Sequence, residues 1–182
     1  MSMRGAFMSL GRWAALVLFC AAAPLPAHES GDCEAFTWDV ARELDAMRAQ
    51  PREVPAAISP QANRVHLQEG THFIAELRPQ ESVTFAVTPA RKARAEKPTG
   101  GLLFFQSAKP GVYRISLSSR HWIDVVDGAR VIDSRGHQGR GGCKLLHKVV
   151  EFELPAQRLL TIQLSGDDAA TAGIVITAVS GS

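Results

Sequence analysis

Lys109-Pro-Gly-Val-Tyr-Arg-Ile-Ser-Leu117 and, shortly after it, Trp122-Ile-Asp-Val-Val-Asp-Gly128 are the stretches that decide the fold. Lys109-Pro-Gly111 is a turn signal, and Val112, Arg114 and Ser116 then alternate with Tyr113, Ile115 and Leu117. A period of two is that of a strand, with Tyr113, Ile115 and Leu117 turned to a core. Trp122 to Val126 reads as the next strand. Asp127-Gly128 is a hairpin signal leading into Ala129 to Ile132, because glycine accepts the positive φ of a tight turn. Working outward, His66 to Gln68 and Phe73 to Leu77 bracket the turn Glu69-Gly70. Ser82 to Val87 alternates with Val83, Phe85 and Val87 on one face, and Leu102-Leu-Phe-Phe-Gln106 reads as a buried strand. Downstream lie Lys144 to Leu154, Arg158 to Leu164 (Leu160, Ile162 and Leu164 on one face) and Gly173 to Val179. Eight to ten short strands without an internal repeat predict a mainly β protein, an antiparallel β-sandwich wired as a jelly roll or Greek key.

One segment has helical period. Phe36, Val40, Leu44 and Met47 line one face, Asp39, Arg42, Glu43 and Asp45 the other, and Trp38 is placed at the edge. Pro51 ends the helix, and residues 50–63, with Pro51, Pro55 and Pro60, read as an extended linker. The expected organisation is a signal peptide over 1–27, helix and linker over 28–63, and a sandwich over 64–182. Two loops are expected to carry function: the charged segment 88–100 and the glycine-rich segment 134–142.

Residues 1–27 read as a secretory signal. Arg4 and Arg12 precede an apolar run from Trp13 to Ala23, too short to cross a bilayer core of roughly 30 Å as a helix. Pro24 and Pro26 follow, and Ala27 offers a cleavage site, so the mature chain is expected to start at His28 in the periplasm or outside the cell. A membrane anchor is the rival reading. Lipidation at Cys20 is disfavoured by the bulky Phe19 before it. Removing 27 of the 182 residues leaves 155, enough for one domain with a core. The 20 Lys and Arg lose Arg4 and Arg12, leaving 18 against 18 Asp and Glu. A neutral mature chain lacks the basic excess expected of a nucleic-acid partner, and the run Arg91-Lys-Ala-Arg94 beside Glu96 reads as a solvated loop tip. Cys33 and Cys143 remain. In an oxidising compartment they most simply form a disulfide; free thiols or a metal pair are the alternatives.

Two resemblances arise. Residues 81–179 resemble the pre-peptidase C-terminal type of secreted β-sandwich. The matching stretches are Ser82 to Val87, Lys109 to Leu117, Trp122 to Val126 and Leu159-Leu-Thr-Ile-Gln-Leu-Ser-Gly166. Trp122-Ile-Asp-Val stands where that family has aspartate, then leucine-tyrosine. Cys33-Glu-Ala-Phe-Thr-Trp-Asp-Val-Ala-Arg-Glu-Leu44, with Trp122 to Val126 and Cys143, resembles a group of small exported proteobacterial proteins of unknown function. Some of these carry a homogentisate dioxygenase name. An enzyme of that name needs two histidines and a carboxylate around iron on a longer, cupin chain.

Candidate chemistry is sparse. The six histidines form no His-Glu-x-x-His, and no Cys-x-x-Cys occurs. His66 and His72 are expected to face each other across a turn, but two ligands do not make a site. His28 as mature terminus would bring an amine and an imidazole together, a copper-chelating pair. Gly-x-Ser-x-Gly is absent among the serines, including Ser116, Ser118 and Ser119. Cys143 would need to be reduced, with His137 or His147 as its base, to act as a nucleophile. Asp124, Asp127, Glu151 and Glu153 are the carboxylates from which a glycosidase pair would be drawn, and Asp167-Asp168 reads as a turn. Trp122 beside His121 is a candidate sugar platform, with Trp38 and Tyr113 as further rings. The expected function is a non-enzymatic binding or accessory module of the cell envelope, its ligand a carbohydrate or a protein and its site built from Trp122, His121, His137 and Arg140. The alternative is a copper- or iron-dependent protein or oxidase using His28. No other cofactor is expected. A concave pocket with three or more convergent polar side chains would favour an enzyme.

Overall fold

The computed structural model describes Met1, residues 33–62 and residues 64–179. His28 and the predicted signal segment, Met1 apart, lie outside the described residues. Among those described, one helix, α1 (Ala41–Arg48), precedes eleven strands. They are β1 (Arg52–Pro55), β2 (Phe73–Glu76), β3 (Arg78–Pro79), β4 (Thr99–Phe105), β5 (Gly111–Leu117) and β6 (Trp122–Asp127). They continue with β7 (Arg130–Ile132), β8 (Ser134–Gly139), β9 (Lys148–Leu154), β10 (Leu160–Asp167) and β11 (Thr171–Ala178). One sheet runs β1-β2-β11-β5-β9-β8 and the other β3-β4-β10-β6-β7. All neighbours are antiparallel except β1 and β2. The expected β-sandwich is the observed architecture.

The faces read from the alternation are the faces buried. Tyr113, Ile115 and Leu117 of β5 and Leu160, Ile162 and Leu164 of β10 enter one core with Phe105 and Phe152. Asp127 pairs with Arg130 around Gly128, whose φ is 64°, so the Asp-Gly signal closes the two-residue hairpin it predicts. β4 is apolar on both sides because both are covered. Leu103 and Phe105 face the core, while Leu102 and Phe104 pack under Ala57 and Val83.

Several segments depart from expectation. His66 to Gln68 makes only an isolated bridge, from His66 to Phe104. Ser82 to Val87 is not a strand; after a 3-10 turn at Gln80–Ser82 the chain runs irregularly. Its Val83 covers Leu102 and Phe104, and its backbone bonds go to Ile58 O from Thr84 N and to the Gln163 side chain from Val87. The alternation there marks a lid over a sheet face. Residues 134–139 of the expected glycine-rich loop form edge strand β8, paired with β9. Gly136 fits because a Cβ would lie 3.3 Å from the Trp38 ring. The expected linker contributes β1 and a bridge from Ala57 to Leu102, and then turns at Ser59 to Ala62, where Ala62 N donates to Ser59 O.

The N-terminal segment packs on the outer face of the six-stranded sheet. Phe36, Val40, Met47, Leu146, Val149 and Val175 form a second cluster there, around the Cys33–Cys143 disulfide. Asp39 Oδ1 accepts from Ala41 N, an Asx turn that leads into the helix. The helix is shorter than the period predicts, with Phe36 and Val40 lying before its first residue, and its buried face is shifted. Glu43, expected on the solvent side, is buried, while Leu44 is only partly so. Thr177 Oγ1 donates to Glu43 Oε1, and the Arg114 guanidinium lies 3.6 Å from Glu43 Oε2. Arg114 also donates to Glu151 (3.0 Å) and to Asp39 O (2.6 Å), and stacks over Trp38. A buried carboxylate is tolerable when such a partner is fixed beside it.

Candidate functional site

β7 spans only three residues and pairs with Val125 to Asp127. The first half of β6, Trp122 to Asp124, therefore has β10 on one side and no strand on the other. The chain crosses from one sheet to the other at Asp133, and β8 then runs past in the opposite sheet. The result is a cleft of about 320 Å³. Trp122, Ile123 and Asp124 form one wall, Ser134, His137 and Gly139 of β8 another, and His147 and Lys148 lie at one end. Loop residues Ala90, Arg91, Lys92 and Arg94 complete it.

That loop is held in place by the five-stranded sheet. Gln163 and Asp124 stand opposite each other on β10 and β6. Gln163 Oε1 accepts from Val87 N (3.1 Å) and Nε2 donates to Val87 O (3.2 Å). Asp124 Oδ2 accepts from Ala90 N (3.2 Å), and its Oδ1 accepts from Trp122 Nε1 (2.8 Å). Arg91 then lies over the Trp122 ring, 4.8 Å from its centroid, a cation–π distance. The indole is thus fixed at its nitrogen and capped on one face.

The four candidate ligand residues part company. Trp122 and His137 line the cleft together. Arg140 lies outside it and ties the N-terminal segment to β8: Nε donates to Ala35 O (2.7 Å) and the guanidinium sits over Phe36. His121 is wholly buried. Thr99 Oγ1 donates to Ala169 O at 2.6 Å, so it accepts from His121 Nε2 at 2.9 Å. Nδ1 then accepts from Ser119 Oγ at 2.8 Å. Both ring nitrogens are used, and His121 acts as a bracket between β4 and the β5–β6 turn.

Burial lowers the His121 pKa from 6.5 to about 4, against the pull of Asp167. Above the unfolded value of 6.5 both folded and unfolded chains hold it neutral. Below that, the unfolded chain takes a proton that the folded one refuses, so stability falls from pH 6.5 down to about 4. The shift corresponds to about 3 kcal/mol at the acid end. We expect the urea midpoint to drop across this window, and His121→Gln, whose amide can still donate to Thr99, to lower stability at pH 7 but flatten the drop. Parallel curves for the two proteins would show that another group is responsible.

The remaining candidates are occupied. Cys143 is disulfide-bonded and is no nucleophile. Asp127 pairs with Arg158, Glu151 with Arg114 and Glu153 with Arg135. His66 packs against Phe104, and His72 contacts Ala49 O. Among the described residues no group of three His, Cys, Asp or Glu side chains is placed to hold a metal ion; the copper alternative rests on His28, which lies outside them.

Missed by sequence reasoning were Arg120 and Lys148, which reach the cleft from the β5–β6 turn and the start of β9; His147, named there only as a base for Cys143, lines the cleft beside them. Lys148 Nζ donates to Arg120 O (2.9 Å) and His121 O (2.6 Å), and burial lowers its pKa to about 8. His147 is lowered as well, by burial and then by Lys148. No family model, curated protein or solved structure matches the chain.

Proposed function

We propose that this protein is a non-enzymatic binding module of the cell envelope, exported to the periplasm or beyond, that takes a carbohydrate or a protein segment in the cleft beside Trp122 and His137. The observation that carries the proposal is the cleft itself. It lies at the low end of the volumes typical of small-ligand sites, and aromatic, apolar and polar groups converge in it. The export reading is supported by the signal-like N-terminus and by the Cys33–Cys143 disulfide, a bond at home in oxidising compartments.

The concavity expected of an enzyme is present, and one observation favours that second reading. Lys148, with a pKa near 8, gives up its proton more easily than an ordinary lysine, as an amine base or nucleophile must. Its ammonium is held by two backbone carbonyls, however, an arrangement suited to holding charge in place.

The test is a glycan array of envelope-derived saccharides, read with the purified oxidised protein. Trp122→Ala should weaken a detected interaction tenfold or more and His137→Ala several-fold, with Arg140→Ala leaving the cleft's affinity unchanged. Binding indifferent to Trp122 would place the ligand elsewhere and overturn the proposal.

A further inference from the structure

Charge in the cleft is one-sided. Arg91, Lys92, Arg94, Arg120 and Lys148 all line it, brought from the loop over 88–98, the β5–β6 turn and the start of β9. None of the five makes a direct ion pair among the described residues. Two acids line the cleft with them, Asp124 and Asp133; Asp124 already accepts from Ala90 N and Trp122 Nε1, and Asp167, which accepts from Arg120 N, offsets part of the charge at Lys148 from outside the lining. The mature chain has no excess of positive charge. Five unpaired cations converging on one cleft therefore reflect segregation, and a low-dielectric cleft concentrates the resulting field.

The details favour an anion over a neutral sugar. One face of the Trp122 ring, the natural stacking platform for a neutral sugar, is occupied by Arg91. The ring instead holds that guanidinium over its face, and a guanidinium offers the fork of N–H donors that suits phosphate and carboxylate. Lys148 is fixed by two carbonyl acceptors, which leaves its third N–H without one and little side-chain freedom to lose on binding.

Resting on the reading of the cleft as the ligand site, we propose that its ligand is a small acidic saccharide, bearing phosphate or carboxylate groups that bridge Arg91 and Lys148. The cleft volume of about 320 Å³ limits the enclosed part to one or two sugar rings.

The probes are digalacturonic acid and glucose 6-phosphate, with galactobiose and glucose as their neutral counterparts. They are titrated into the oxidised protein by calorimetry and by amide and indole NMR. An acidic probe should shift the Trp122 indole and Lys148 amide signals, bind at least tenfold tighter than its neutral counterpart, and weaken as salt is raised. The source of the acid group is read from which of the two acidic probes binds. Lys148→Met and the exposed Arg91→Ala should each cost tenfold or more; the second keeps the test valid if the first perturbs folding. Arg158→Ala, outside the cleft, should change nothing. If neutral probes shift the same signals as strongly, the acidic-ligand inference falls and the cleft reading stands. If no probe moves those signals, the inference falls and the carbohydrate form of the cleft reading falls with it.

Discussion

Replacing Cys33 and Cys143 together by alanine is expected to lower the stability of the folded domain by about 4 kcal/mol. The bond closes a loop over a sequence separation of 110 residues. In the chain-entropy picture, a loop of that size restricts the unfolded ensemble by about 4–5 kcal/mol. The native side adds to this. Both cysteines are buried in the cluster beneath α1, and Leu146 N donates to Cys143 Sγ, a contact that alanine removes. Phe36, Val40 and Met47 keep the N-terminal segment docked through apolar packing, as do the bonds from Gln138 to Thr37 and from Arg140 to Ala35 O. The double variant should therefore fold. Its thermal midpoint should fall by about 10 °C, at the few degrees per kcal/mol usual for this size. Reduction of the wild type should reproduce the fall. A loss below about 1 kcal/mol by urea titration would mean that the unfolded chain gains little freedom from opening the loop.

Arg114→Met is expected to cost about 3–5 kcal/mol. Arg114 is 14% exposed, Glu43 4% and Glu151 19%, so removing the guanidinium leaves two carboxylates facing each other with little water. Glu43 Oε2 has no hydrogen bond even in the wild type and depends on the nearby positive charge. The contacts to Asp39 O and the Trp38 ring are lost too, which loosens the start of α1. Adding Glu43→Gln and Glu151→Gln to Arg114→Met should recover most of the loss, because the penalty belongs to uncompensated charge more than to missing packing. Arg135→Ala is the control. Its pair with Glu153 is 54% and 60% exposed, and breaking it should cost under about 1 kcal/mol. Denaturant titration of the four proteins separates these outcomes. A large loss from Arg135→Ala, or no recovery in the triple variant, would count against the account.

Legibility in the sequence followed the range of the interactions. β5, β10 and the Asp127-Gly128 hairpin were readable because side-chain alternation and turn chemistry are settled within a few residues. The disulfide was readable because two cysteines in a chain read as exported have one simple partner each. Ser82 to Val87 misled because alternation reports a half-buried extended segment, and a lid clamped by Gln163 satisfies that pattern as well as a strand does. The glycines of 134–142 suggested a loop, yet Gly136 lies in a strand with the Trp38 ring packed close against it. His121 was chosen for its neighbour Trp122, while its position is set by Thr99 and Ser119, which bury it.

By itself, then, the sequence determined the class of fold and the core faces of β5 and β10, since each rests on local period, and it favoured the pairing of Cys33 with Cys143 that the structure forms. Only the tertiary structure decided that Glu43 turns inward, because its countercharge Arg114 lies far along the chain on β5. It also decided the candidate site. Arg91, Arg120, Trp122, His137 and Lys148 meet because β7 ends short and leaves half of β6 uncovered. A cleft formed by a missing strand neighbour has no local signature, because it depends on where other segments stop.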